Sequence, residues 1–563
     1  MKAKGYVCYE DFGAVGDGVT NDFFAIFKAH AYANENHLPV KTDETKTYYI
    51  SDTRIDGAPM SISIKTNTDF GGTNFIIDDT DYHSLDGTKI STSDVFAVES
   101  DYPMETVTDR EILSKLDGVG EGTKKIDLAL GYPAMLIIYN ANENIYGRSG
   151  ASFKASAQSK GPIKNELIVV DAEGNVDEST PFSFDYKEVT RLDVIRCDIE
   201  HITVNGGIFT TRASRHGGRY VDENGVTRKY GYVHRGFAVI RSFTTLKNMK
   251  HYVTGEVTTV EHTQGILGAH YHGFFSPRMA NEVTIEDCIL TGRRYYHVSG
   301  TYDFSADHVN KIRLVNCTQS NFYMKNEEGE TVYSMAISPL TGTRYCWGIG
   351  GTNFCKNMEY IGCTLSRFDA HRGLHNGRIV DTKINFIALT GKGKMVIENV
   401  EWLAVDKGRT NNSFIYLRGD YGSQWDGDIE IKNVRAVAND DDFFFMHHSY
   451  SNFVYGYKCT YPNLLIDNFE LSSHPNGYAI KMTDENTSVL KEPNLHKDTV
   501  VNVPVVLDDE SLDYKNYNPI RPPEYLTVKN NPNGYSYVIS DSDFFANTKC
   551  EGITVVEKEK YND

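Results

Sequence analysis

The chain has 563 residues, of which 40% are apolar, with a formal net charge of −19. That length is too great for one ordinary compact core, but a solenoid escapes the limit because each coil packs only on its neighbours. The acidic balance argues against nucleic acid or an anionic membrane as partner, and no stretch approaches the ~20 apolar residues of a membrane-spanning helix.

The start, Met1-Lys2-Ala3-Lys4-Gly5, has no apolar leader. The expected location is therefore the cytoplasm, or outside the cell if a leader has been removed. Next comes Asp11-Phe12-Gly13-Ala14-Val15-Gly16-Asp17-Gly18-Val19-Thr20-Asn21-Asp22, which reads as a Gly-rich turn ending in a helix cap. Thr20 or Asn21 is the expected cap, with Asp22 in the first turn. Phe23, Ile26, Phe27 and Tyr32 supply the apolar face of a short helix. This run resembles the N-terminal signature of right-handed parallel β-helix proteins of the pectate-lyase (pectin-lyase-like) superfamily. The resemblance is strong over roughly the first fifty residues and extends in weaker form to about residue 470. It implies an all-β solenoid plugged by an N-terminal helix, and a polysaccharide as substrate. No catalytic residue is carried over with it.

Tyr48-Tyr49-Ile50 and Phe75-Ile76-Ile77 read as the first strands, which places the cap and first coils in residues 1–103. Residues 104–190 break the rhythm and read as an insertion or small lobe, with a helix over Glu111–Leu116 and a hairpin over Glu166–Val176. The main coils, 191–484, carry a recurrent pattern of alternating apolar residues followed by a polar corner. Copies are Val283–Cys288, Ile312–Cys317, Met358–Cys363, Met395–Val400, Ile429–Val434 and Leu464–Phe469. Asp381 and Asn399 are 18 residues apart, near one minimal coil. The corners, mostly Asn or Asp, are placed to stack as a hydrogen-bonded ladder. Cys288, Cys317 and Cys363 share one slot and read as buried packing. From 485 to 563 the pattern fades, Pro504, Pro519, Pro522 and Pro523 mark loops, and the segment reads as a C-terminal coil and tail.

A β-helix has little depth, so chemistry belongs in a groove walled by the long inter-repeat loops. Four loops qualify: 302–308, 344–353, 366–373 and 418–428. Glycosidic hydrolysis needs two carboxyls across the bond. Asp369, flanked by Arg and His, with Asp420 or Asp426 supplies such a pair, and His371 stands beside it. Arg372, Arg418, Tyr421, Asp303 and Asp307 are candidates to bind sugar, and Trp347 and Trp425 to stack on a ring. An Arg–Asp–His cluster is also a common structural ion-pair network. Asp440-Asp441-Asp442 reads as an acidic surface turn. His270 and His272 lack an evident third metal ligand, and His447-His448 point oppositely on a strand. No metal and no cofactor is expected.

The leading expectation is a glycoside hydrolase acting on an oligo- or polysaccharide. The first alternative is a polysaccharide lyase, with His371 and Arg372, or Tyr421 and Arg418, as base and carboxylate neutraliser. The second is a noncatalytic glycan-binding or tailspike-like protein, with a homo-oligomer possible.

Overall fold

The computed structural model describes residues 4–81, 93–149, 160–214, 219–221, 225, 227–229, 233–256, 271–292, 302–325, 329, 331–333, 336–337, 344–345, 350–404, 413–438, 443–448, 455–483, 520–540 and 544–556. The chain divides into two compact units. The first comprises Met1–Pro103, Cys197–Gly351 and Gly362–Arg367; the second comprises Met104–Arg196, Thr352–Ile361 and Phe368–Asp563.

The first unit begins with the Gly-rich turn and the helix Phe23–Asn36. The helix starts one or two residues later than expected, with Asp22 at the cap position in place of Thr20 or Asn21. The Asp22 carboxylate reaches back to accept Val15 N at 2.7 Å and Gly16 N at 3.2 Å, so it fastens the turn instead of serving the first helical turn. The buried face is Phe23, Ile26, Ala29, His30 and Ala33. Phe27 and Tyr32 are only half-buried on its flank.

Behind the helix, strands repeat in parallel register. Thr68–Asp78 pairs with Ile202–Arg212, which pairs with Thr244–Lys247 and Lys250–Thr254. These lead to Phe275–Glu286 and then to Ala306–Val315. The alternating residues that face inward stack on their equivalents one coil away. Phe75 stacks on Phe209 at 4.7 Å and Phe96 on Phe237 at 4.5 Å. Each such burial is worth roughly 1.5–3 kcal/mol. Cys288, Cys317 and Cys363 are buried in one column. Their thiols lie 3.2–3.7 Å from the carbonyls of Leu246, Ile285 and Leu314.

In the second unit Lys356–Ile361 pairs with Leu374–Val380, then Gly391–Glu398, Trp425–Val437 and Asn463–Leu471, all parallel. The strand then turns each corner through the left-handed region, at φ 51° for Asp381, 54° for Asn399, 51° for Asn433 and 60° for Asn468. Asn and Asp tolerate that conformation better than other non-glycine residues. Their amides form the expected ladder: Asn399 donates to Asp381 at 2.9 Å, Asn433 to Asn399 at 3.2 Å and Asn468 to Asn433 at 3.0 Å. Both units are thus built of the parallel β-helix coils that the repeat predicts.

Residues 104–196 form a different layer within the second unit. Ile163–Val170, Ala134–Asn144, Arg191–Arg196 and Glu105–Val107 make an antiparallel sheet in that spatial order. Leu136, Ile138, Ile168, Val170, Leu192 and Val194 pack beneath it with Phe182 and Tyr186. The helix expected at Glu111–Leu116 is Arg110–Leu113 continuing as a 3-10 turn through Leu116, capped by Asp109, which accepts Glu111 N at 2.8 Å. The hairpin expected at Glu166–Val176 is not a two-strand ribbon. Ile163–Val170 takes Ala134–Asn144 as its partner, and beyond the Gly174 turn only isolated bridges form, Val170–Val176 and Lys125–Asn175. Residues 484–519 lie outside the described set. After them, Tyr525–Val528 and Ser536–Ser540 continue the parallel stack. Among the described residues no helix is long and apolar enough to cross a membrane.

Candidate functional site

Six residues singled out in the sequence come together in the second unit: Asp369, His371, Arg372, Arg418, Asp420 and Tyr421. The strand Thr364–Arg372 ends with the first three. Arg418 follows the strand Ser413–Leu417 and caps the short turn Gly419–Tyr421 that carries the other two. Arg418 sits between the two carboxylates. Its Nη1 donates to both Asp369 oxygens at 3.1 and 3.2 Å, and its Nε and Nη2 donate to Asp420 at 3.2 and 2.9 Å. A second guanidinium, Arg148, also grips Asp420, with Nε at 3.0 Å. Both guanidinium groups lie over the Tyr421 ring, at 5.0 and 5.4 Å. The Tyr421 hydroxyl meets Arg372 Nε at 3.2 Å and His371 Nε2 at 3.4 Å.

This arrangement is a charge knot, and it changes the reading of the expected Asp pair. Burial alone would raise the Asp420 pKa, but Arg418 and Arg148 outweigh it and hold the carboxyl down to about 2. A group so strongly ionised has no proton to donate near neutrality. Asp369 is wholly buried with both oxygens on Arg418. The Asp369–Asp420 pair is therefore occupied in ion pairing, with Asp369 fully and Asp420 largely shut off from a ligand.

Close by in the same unit lies a cavity of about 650 Å³. Its wall draws on the antiparallel sheet (Glu143, Lys164, Glu166), the coil edge (Lys356, Lys392, Gln424, Asp426) and the segment Gly456–Lys458. Of the residues chosen from sequence as catalytic, Asp426 alone lines it. Four lysine–carboxylate contacts, made by three lysines, organise the wall. Lys356 and Glu166 are both buried and meet at 3.0 Å, and Glu166 also accepts Ser183 N at 2.8 Å and Phe184 N at 3.1 Å. Burial lowers the Lys356 pKa, with Glu166 opposing the shift. Lys164 meets Glu143 at 2.8 Å. Lys392 meets Glu121 at 2.5 Å and Asp426 at 3.3 Å. Burial works against the Lys392 ammonium, but those two acids overcome it and raise its pKa above the ordinary lysine value. The side chains of Glu121 and Asp426 are 55% and 43% exposed, so both remain open to a ligand.

Sequence reasoning missed Lys356, Lys392, Glu121 and Gln424. A signal was present for part of this set. Lys356, His375, Lys392 and Asp426 occupy one register row on four successive coils. Each lies two or three residues before the first paired residue of its repeat core, Met358, Gly377, Met395 or Ile429. Aligning the repeats by their cores, instead of scanning loops, brings out a column of titratable side chains. Burial drives His375 down to about 3, so it stands neutral in that row.

The other candidates lie elsewhere. Trp425 is fully enclosed and donates Nε1 to Gly393 O at 2.9 Å, so it offers no face for a sugar ring. Asp303 belongs to the first unit, where it is 1% exposed and bound to His251 Nδ1 at 2.6 Å and Thr291 N at 2.7 Å. These contacts make it a buried brace, inaccessible to substrate. Asp307, also in the first unit, pairs with His308 and is 40% exposed. His272 stacks on His234 there at 4.4 Å. His447 stacks on Tyr416 at 5.0 Å, and His448 is buried. Trp347, His270 and Asp440–Asp442 lie outside the described residues. Among the described residues no group of three or more His, Cys, Asp or Glu side chains is placed to hold a metal ion.

No family model matches the chain. Among curated proteins it is similar to a KL64-specific capsule depolymerase of Klebsiella phage P510, with 24% identity over 196 residues. That match covers 34% of this chain and spans only 19% of the phage protein's length. Among solved structures it is similar to the tailspike protein gp49 of Pseudomonas phage LKA1, at 13% identity and a TM-score of 0.44, covering 97% of this chain and 84% of that one. A mutant tailspike of E. coli bacteriophage HK620 gives 7% identity and a TM-score of 0.41, covering 99% and 78%. PfbA, a surface adhesin of Streptococcus pneumoniae, gives 12% and 0.34, covering 83% and 92%.

Proposed function

We propose that the chain binds and cleaves a polysaccharide, and that the 650 Å³ cavity of the second unit is its sugar site. The likeness to a capsule depolymerase supports the substrate class. The reaction proposed is glycoside hydrolysis, with Asp426 and Glu121 dividing the acid and base roles. One observation carries this: two accessible carboxylates share the single ammonium of Lys392 at the edge of a pocket. Their oxygens, 3.3 and 2.5 Å from that nitrogen, lie at most about 6 Å apart, nearer the roughly 5 Å of retaining enzymes than the 6.5–9.5 Å of inverting ones. In this reading one carboxylate acts as nucleophile and the other as acid and base, with Lys392 positioning both at the edge of the pocket.

A second reading has its own support. Six lysines and five acids line the cavity of a chain whose net charge is −19. This local reversal of charge suits an acidic sugar, and in a lyase Lys164 or Lys392 would neutralise a uronate carboxylate.

The deciding experiment incubates the full chain with purified capsular polysaccharides, following new reducing ends and the ultraviolet absorbance of unsaturated uronates. Reducing ends without absorbance, lost in Asp426→Asn and in Glu121→Gln, support hydrolysis. Absorbance rising with the ends supports the lyase and overturns the hydrolase.

A further inference from the structure

The lysines of the cavity fall into two sets. Lys164, Lys356 and Lys392 each meet a carboxylate of this chain. Lys160 and Lys187 line the same cavity, are exposed, and have no carboxylate partner among the described residues. The fold brings both to one end of the antiparallel sheet. The central strand Ala134–Asn144 runs between Ile163–Val170 and Arg191–Arg196, antiparallel to both. The segments leading into those two neighbours therefore enter at the Asn144 end, about 10 Å apart across two strand spacings. Lys160 stands three residues before the first neighbour and Lys187 four before the second. Both backbones are pinned. Beside Lys160, Gly161 O accepts Asn144 Nδ2 and Pro162 O accepts Ile145 N, each at 3.0 Å. Beside Lys187, the buried Tyr186 exchanges backbone bonds with Gly118 and Val119 at 2.7 Å, and Val189 N donates to Asp117 at 2.9 Å. The acids next to Lys187 in the chain are engaged elsewhere. Asp185 accepts Glu121 N at 3.0 Å; Glu188 accepts Asn142 Nδ2 at 3.0 Å and lies 4.0 Å from Arg110.

We infer that Lys160 and Lys187 form a subsite for an anionic substituent of the bound saccharide. The inference rests on the reading of this cavity as the sugar site, and it holds for hydrolysis and elimination alike. An anion at Lys164, Lys356 or Lys392 must compete with Glu143, Glu166, Glu121 or Asp426. At Lys160 and Lys187 no carboxylate of the chain has to be displaced, and because both ammonium groups are exposed the desolvation cost of pairing is small. Lysine presents a point charge without the planar fork that selects one anion. The shared chemistry is therefore negative charge, borne by a carboxylate or by a phosphate or sulfate ester.

The test is the double variant Lys160→Gln with Lys187→Gln in the full chain. Both side chains are exposed, so its melting temperature should match the wild type. Affinity is read by calorimetry on the anionic capsular polysaccharide that the wild type binds best. The same polysaccharide is then neutralised, by reducing its carboxyl groups or by removing its phosphate or sulfate esters. The double variant is expected to bind the untreated polysaccharide about tenfold more weakly, as two exposed ion pairs give near the upper end of their usual worth. Lys160→Arg with Lys187→Arg should restore the affinity. On the neutralised polysaccharide the glutamine variant and the wild type should bind alike, and the treatment that makes them alike identifies the anion. Equal affinities on the untreated polysaccharide, or an equal loss on both forms, overturns the inference. So does a wild type that binds only neutral polysaccharides. The reading of the cavity as the sugar site is checked separately, because Asp426→Asn lowers turnover if that reading holds, whatever the lysine variant does. If the wild type binds no polysaccharide at all, both fall.

Discussion

Asp420 and Asp426 lie six residues apart in the chain, and their surroundings give them opposite characters. Asp420 faces two guanidinium groups, so Asp420→Asn removes a carboxylate from both Arg148 and Arg418 and leaves Arg418 with Asp369. Breaking one side of such a pair typically costs about 3 kcal/mol or more, and the expected result is a lower urea midpoint together with lost activity. An unchanged midpoint would mean that water already screens the knot. Asp426 is 43% exposed on a single lysine, so Asp426→Asn is expected to leave the midpoint within about 0.5 kcal/mol while lowering turnover on a cleaved polysaccharide by roughly 100-fold or more. Equal loss of stability in both variants would contradict this division. The clustering of Asp369, His371, Arg372, Arg418 and Tyr421 was legible because chemistry-bearing residues sat in loops next to repeat strands. The role of Arg148 was not legible, since the segment that carries it comes from the antiparallel sheet 272 residues earlier. That guanidinium is what turns an apparent acid–base pair into an ion-pair knot.

At the scale of the element, the corner ladder is the feature most fully written in the sequence. A strand of period two followed by Asn or Asp specifies both the pleat and the left-handed residue that ends it. Asn399 tests how the two contributions divide. Its amide donates to Asp381 and its carbonyl accepts from Asn433, with φ at 54°. Asn399→Ala should lose both bonds and meet the left-handed penalty, for a total of about 2–3 kcal/mol. Asn399→Gly should recover about 1 kcal/mol of that, because glycine enters the region freely. Chemical denaturation checks the order; an alanine variant as stable as the glycine one would place the whole effect in the amide bonds. The antiparallel layer was harder to read for a physical reason. Its strands Ala134–Asn144 and Ile163–Val170 each hold an unbroken apolar stretch, residues 134–139 and 167–170, and a buried run does not announce its partner. The turn at Gly174 looked like a hairpin because local turn chemistry is visible in sequence and distant pairing is not.

For the whole molecule, pH is the variable that separates surface charge from buried groups. The net charge of −19 comes from carboxylates that stay ionised down to about pH 4, so relief of their repulsion contributes little above that value. Between pH 6.5 and 4 the histidines dominate. Burial drives His30, His375 and His448 down to about 3, and burial with the His234 and Arg278 charges brings His272 to about 4. A group whose folded pKa is depressed contributes stability that is complete above its unfolded pKa, near 6.5, and declines as the pH falls toward the folded value. In that window the unfolded chain takes up protons that the folded chain refuses, so each histidine removes up to about 1.4 kcal/mol per pH unit. Asp420 follows the same sign in a lower window, losing its contribution as the pH falls from about 4 to about 2. The expected profile is a plateau above pH 6.5, a decline beginning just below it, and a steeper fall beneath pH 4. His448→Phe isolates one term, because the ring is wholly buried and packs against Tyr461. The variant should match the wild type less well as the pH drops, becoming relatively more stable by about 1 kcal/mol for each unit below 6.5. Urea midpoints at pH 7.5, 6, 5 and 4.5 measure this directly, and parallel profiles for the two proteins would show that His448 titrates alike in folded and unfolded chains.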